Sequence, residues 1–362
     1  MPTPALHLPG PVLLGPDEVA GPAWVVGGRL TLTSPTGTPT TTVRGWVLPG
    51  LVDAHCHVGL DRHGAVDADT SRAQALADRD SGVLLLRDAG SPADTRWVDD
   101  DPQLPRIVRA GRHIARTRRY LRNYAHEIEP DQLPAVVAQE ARRGDGWVKI
   151  VGDWIDRDTG DLGPCWPLDA LTAAMDAAHA EGARVTAHCF GADALPDLLA
   201  SGIDGVEHAT GLDDGTIALA ADRQVAVVPT LVNIATFPGI AQAGEAKFPR
   251  YATTMRDLHA RRYDTVRAAH EAGVPVYVGT DAGGSLPHGL VAQEVAELVR
   301  AGLPATTALD AACWGARRWL GRPALHEGAD ADLVVYPTDP REDVGVLAHP
   351  TAVVLRGTAV RG

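Results

Sequence analysis

The chain has 362 residues, of which 45% are apolar, and its formal net charge of −13 comes from 33 Lys+Arg against 46 Asp+Glu. So acidic a field argues against nucleic acid or an anionic membrane as a partner and leaves a small-molecule substrate as the expected one. The length suits a barrel of about 250 residues with an attachment, and four cysteines without a CxxC pair suggest neither a zinc ribbon nor a disulfide framework.

The N-terminal stretch "MPTPALHLPGPVLLGPDE" has no basic start followed by a long apolar run, so no signal peptide is expected. No segment approaches ~20 uninterrupted apolar residues, so no membrane helix is expected and a cytoplasmic protein is the default. Residues 9–47 hold short β runs without helices, "PVLLG", "AWVVGGRLTLTS" and "TTTVRGWV". From Val47 onward, apolar runs alternate with helical stretches. The strand candidates lie in "LVDAHCH", "GVLLLRDAG", "PRIVRAGRH", "GWVKIVGD", "ARVTAHCFG", "DGVEHATG", "VAVVPTLV" and "PVYVGTDAG". Alanine-rich helical stretches between them, such as Pro167–Gly182 and Arg250–Gly273, end in a glycine suited to a helix C-cap. Eight such repeats predict an α/β fold, a closed (β/α)8 TIM barrel over residues 49–325. The closing runs "ADLVVYPTD" and "TAVVLRGTAVRG" return to β, so residues 1–48 and 326–362 are expected to meet in one small β-sheet domain.

Barrel chemistry sits at the C-terminal ends of the strands. There the sequence places His55 and His57, Arg87-Asp88, Arg112-His113, Lys149, His188, His208 and Asp281. His55 and His57 are two apart and share one face of their strand, while Cys56 faces the other way. Two imidazoles on one side can share a cation. A single strand histidine is more often a hydrogen-bonded core residue. Four histidines, a lysine and an aspartate at the same end of a barrel are not explained that way.

"PGLVDAHCH", followed in order by Lys149, His188, His208 and the "GTDAG" run around Asp281, resembles the amidohydrolase superfamily. The likeness is greatest to its imidazolonepropionase-like and Xaa-Pro-dipeptidase-like members and covers nearly the whole chain. The resemblance implies a metal-dependent hydrolase with two divalent ions, zinc being favoured by the imidazole ligands. It implies that His55, His57 and Asp281 hold the first ion, that His188 and His208 hold the second, and that Lys149 bridges them as a carbamate. It also implies that a metal-bridging hydroxide attacks the scissile C–N bond, with Asp281 as catalytic proton shuttle. The other reading of Lys149 is an ion pair with Asp153.

The segment "GRHIARTRRYLRN" sets five arginines within eleven residues after strand three. Arginine grips carboxylates in a bidentate manner, so a carboxylate-bearing substrate, a dipeptide or an N-acyl amino acid, is expected. The expected contacts are His113, Arg116, Arg118, Arg119 and Tyr120, with Asn233 and His288 as further candidates; a solvated face or a contact in a homo-oligomer is the competing reading. Arg87-Asp88 reads as a structural ion pair. The alternatives to a binuclear amidohydrolase are a mononuclear deaminase or imidazolonepropionase-type cyclic amide hydrolase, and a non-catalytic scaffold. His188 is followed by "CFGADAL", without the glutamate that a deaminase of the superfamily carries there.

Overall fold

The structure, a computed structural model, describes residues 5–361. Residues 1–4 and 362 of the expected terminal β domain lie outside the described residues.

Seven regular barrel strands form, and they fall in the first seven expected runs: Leu51–Cys56, Val83–Asp88, Arg106–Arg109, Trp147–Val151, Arg184–Cys189, Gly205–His208 and Ala226–Val228. Strands one to three pair in parallel, as do strands four to seven. Every residue of strands one and two is buried, as expected where helices cover the outside of a parallel sheet and side chains fill the inside.

The barrel is irregular at two joints. Strand three stops at Arg109, Gly111 takes φ +71, and the chain resumes pairing at Ile114–Arg116, where Ile114 meets Ile150 of strand four. His113 sits in that break. Strand eight is held by single parallel bridges, Val276 to Val227 and Ala282 to Cys56. Between them Gly279 passes so close that a Cβ would lie 2.4 Å from Val228 Cγ1 and 2.6 Å from His55 Cβ. The crowding bends the chain off a straight ladder, and the amides of Thr280 and Asp281 both reach the His55 carbonyl, at 3.0 and 2.7 Å.

The two expected helical stretches are the helices Leu168–Ala180 and Pro249–Glu271. Two hairpins rise at the strand ends, Leu60–Asp61 with Gly64–Ala65 and Asp153–Asp156 with Asp161–Pro164.

The chain ends do meet, in a small β domain built of two sheets. A four-stranded sheet is built from N-terminal segments, and a six-stranded sheet pairs Trp46–Pro49 antiparallel with Leu333–Tyr336. Leu6, Leu8, Val25, Val47, Leu333 and Val354 pack between the sheets in one core. Strands of two to four residues cannot bury both faces alone, so a second layer is required. All four cysteines are free and buried. Among the described residues no helix is long and apolar enough to cross a membrane.

Candidate active site

Strand one presents His55 and His57 inward, 0% and 5% exposed, with their Nε2 atoms 3.3 Å apart. His57 Nδ1 lies 2.7 Å from the Gly90 carbonyl. A carbonyl can only accept, so Nδ1 carries the proton and Nε2 keeps its lone pair. Glu207 Oε2 lies 2.8 Å from His55 Nδ1, although the N–H does not point along that line, so the contact is an electrostatic one. It leaves His55 Nε2 facing Asp281 Oδ1 at 3.2 Å and Lys149 Nζ at 3.4 Å. Asp281 Oδ1 is also 2.9 Å from His57 Nε2.

His208 and Asp281 both adopt left-handed backbone, φ +68 and +58. That conformation is uncommon for residues other than glycine, and here it turns both side chains inward at the strand ends. His208 Nδ1 meets Thr230 Oγ1 at 2.7 Å, which leaves Nε2 for the interior. Donor atoms of His55, His208 and Asp281 all lie within 4.8 Å of one another. The His188 ring centroid is 4.8 Å from that of His208, and His188 Nε2 is buried without a hydrogen-bond partner among the described residues. A buried imidazole nitrogen left unpaired costs about 1–3 kcal/mol, unless a cation meets it.

The protonation states suit ligands. Burial first, and then neighbouring positive charge, push His57, His188 and His208 below the usual imidazole range, His188 to about 3. For His55, burial and Lys149 also push down, but Glu207 and Asp281 outweigh them and raise it. A position whose carboxylates hold a proton so firmly also favours a cation. Burial would raise Asp281, yet the surrounding imidazoles hold its carboxyl well below the usual range. Burial brings the Lys149 ammonium down to about 8. Four inward imidazoles, a carboxylate and a depressed lysine form a donor set that fits divalent ions.

The amidohydrolase family model matches residues 46–360. The chain belongs to the amidohydrolase family. As a member it is a metal-dependent hydrolase acting on carbon–nitrogen bonds. It is 59% identical over 353 residues, 97% of this chain and 95% of the other, to an uncharacterized protein of Mycobacterium tuberculosis. Among solved structures, it is similar to a Xaa-Pro dipeptidase with bound methionine in the active site (TM-score 0.83, 22% identity, 99% of both chains covered). It is also similar to a putative prolidase from Bifidobacterium longum (TM-score 0.82, 26% identity, 99% of this chain and 94% of the other).

Around the donors of this amidohydrolase lies an aromatic wall. His113 is fully buried, neither ring nitrogen has a partner among the described residues, and its centroid is 5.1 Å from that of His57. Tyr120 stacks edgewise on Trp154 at 4.8 Å and lies 5.7 Å from His188. Asn233 donates from Nδ2 to Asp281 Oδ2 at 2.7 Å. These three expected contacts come together at the donor cluster.

The basic segment and His288 do not. Arg119 donates to Asp156 at 3.0 Å and to the carbonyls of Trp154, Gly163 and Pro164. Its two terminal nitrogens are occupied in clamping the Asp153–Pro164 hairpin, the Asp156 carboxylate included. Arg116 reaches only toward the Cys165 carbonyl, at 3.5 Å, and Arg118 is exposed. His288 Nδ1 is tied to Asp78 Oδ2 at 2.7 Å and joins the strand-eight loop to the helix Ala68–Asp80.

One residue the sequence did not single out, Glu207, completes the site. Glu207 links His55 to Arg87, whose Nη2 is 2.5 Å from Oε1, so Arg87 pairs with Glu207 and not with Asp88. Asp88 accepts from the Gly90 amide instead. Burial would raise Glu207, but Arg87, His55 and Lys149 hold it well below the usual range. Asp153 is engaged by the amides of Phe190 and Gly191 at 3.0 and 2.6 Å, which leaves Lys149 without it.

Proposed function

We propose that this amidohydrolase holds two divalent ions, zinc being the best match, with Lys149 carboxylated between them. The proposed substrate is a dipeptide or an N-acyl amino acid, cleaved at its amide bond. The observation that carries the reading is Lys149. It is 1% exposed, its one polar contact among the described residues is His55 Nε2, and its amine is depressed to about 8. An ammonium has three protons to donate, and among the described residues only His55 Nε2 lies within reach to accept one. A neutral amine there can add to the carbon of CO2, forming the N–C bond and releasing a proton. The resulting carbamate offers two oxygens and one negative charge.

In this reading His55, His57 and Asp281 hold one ion and His188 and His208 the other, with Lys149 shared. Bound ions would polarise the scissile carbonyl and make water acidic at about pH 7. Asp281, ionised and with a side chain 22% exposed against 0–6% for His55, His57 and His188, faces the incoming substrate. It takes the proton of the attacking water and hands it to the leaving nitrogen. Asn233 fixes its outer oxygen. His113 can donate to or accept from the substrate, and Tyr120 and Trp154 exclude water beside it. The names of the Xaa-Pro dipeptidase and the putative prolidase support the dipeptide class. A second reading rests on the three donors His55, His208 and Asp281, which suffice for one ion and would leave Lys149 a bare amine in a deaminase or cyclic amide hydrolase.

The test is hydrolysis by zinc-loaded protein of Xaa-Pro and other dipeptides, N-acyl amino acids, and a cyclic amide. Turnover of the linear amides supports the proposal. Turnover of the cyclic amide alone, or release of ammonia from an aminated ring, would replace it with the second reading.

A further inference from the structure

The turn after strand seven touches two of the inward donors at once. Thr230 Oγ1 is 2.7 Å from His208 Nδ1, and Asn233 Nδ2 is 2.7 Å from Asp281 Oδ2. Both contacts depend on an unusual backbone. Thr230 is β-branched and fully buried, with φ +48, a conformation such residues rarely take unless the surroundings impose it. The helix that follows, Leu231–Ile234, is a single turn. One turn is too short to hold itself, and its first amides have no acceptor within the helix.

The acceptor comes from another element. Glu294, 0% exposed on the helix Val291–Arg300, receives the Leu231 amide on Oε1 at 2.7 Å and the Val232 amide on Oε2 at 2.8 Å. The two oxygens of its carboxyl group span two successive N–H groups between Thr230 and Asn233. Moving that turn moves the hydroxyl that orients His208 and the amide that orients Asp281. The helix bearing Glu294 follows the strand-eight loop that carries Asp281, so one rigid element braces both sides of the site.

We propose that Glu294 is a positioning residue of the cation site, acting on His208 and Asp281 through the Thr230–Asn233 turn. The inference rests on the reading that those two side chains hold a metal ion. Glu294→Gln keeps the size but replaces one acceptor oxygen with an NH2 group that opposes a backbone N–H. Partners behind metal ligands are worth about 10- to 100-fold in metal affinity, and Glu294 acts one contact further out, so about tenfold is expected.

The experiment measures zinc affinity by chelator competition in wild type, Glu294→Gln and Val295→Ala. Val295 is a fully buried core residue on the same helix, and its apolar side chain accepts from neither amide. The expected result is zinc affinity lowered about tenfold in Glu294→Gln and unchanged in Val295→Ala, although both melt at lower temperature. Should Glu294→Gln yield no folded protein, Glu294→Asp, which withdraws both oxygens by one methylene, is read in the same way. Wild-type zinc affinity in the Glu294 variant, or losses in both variants that follow the loss of melting temperature, would overturn the inference. A wild type that takes up no zinc would overturn the cation reading beneath it, and this inference with it.

Discussion

Replacing Glu207 by Gln probes the deepest ion pair in the barrel. Arg87 and Glu207 are both 0% exposed and 2.5 Å apart, and Thr186 Oγ1 donates to the same glutamate oxygen at 2.5 Å. The guanidinium carbon lies 4.7 and 4.8 Å from the rings of Trp147 and Trp319, which meet edge to face at 4.9 Å, and the Arg87 side chain has no exposure to water. The substitution keeps shape but removes the charge, leaving Arg87 buried and uncompensated. Breaking such a pair from one side costs about 3–5 kcal/mol. At about 2 °C per kcal/mol, the low end of the scale for a chain this long, the melting temperature should fall by roughly 6–10 °C. Zinc affinity should fall as well, by about 10- to 100-fold, because the carboxylate behind His55 is lost. Adding Arg87→Met should restore more than half of the lost stability, since removing both charges ends the mismatch. Thermal melts of the two single variants and the double variant form a complete cycle. If the double variant loses the sum of the two single losses, the charges are not coupled and the reasoning fails.

Asp281→Asn, which cannot carry a proton at neutral pH, should lower kcat on the order of 10²-fold or more with metal still bound, and a near-normal rate would remove the shuttle role. Arg119→Ala should destabilise the Asp153–Pro164 hairpin, seen as faster amide exchange there, and leave the kcat/KM ratio between an acid substrate and its amide unchanged. A collapse of that ratio would return the arginine to substrate binding. Burial works against a proton on His288, but Asp78 outweighs it and raises the pKa above the usual 6.5. The clasp therefore contributes fully below that value and fades as pH rises through the raised one. The melting-temperature gap between wild type and His288→Gln should be wide at about pH 6 and narrow at about pH 9, and a gap that widens with pH would contradict the assignment.

The expected strand runs and the inward donors were legible because barrel topology sends one end of every strand to the same place. His55 and His57 follow from the period of two, and Lys149, His188 and His208 from position alone. Glu207 was hidden by the same rule. Next to His208 it should face away, but the left-handed turn at His208 brings both side chains inside. Arg119 was misleading because, besides Asp156, its acceptors are backbone carbonyls of a hairpin some 40 residues on, and carbonyls carry no sequence signal. Splitting of strand three and bending of strand eight likewise depend on close approaches, such as Gly279 against His55, that exist only once the barrel closes.

The central claim is a binuclear site built on a carboxylated Lys149, and it is tested most directly by counting metal in protein purified without chelators and supplied with zinc and 13C-bicarbonate. The account predicts two ions per chain and a carbamate 13C resonance, with both the resonance and the second ion lost in Lys149→Ala. One ion per chain at saturating zinc and no carbamate signal would contradict it.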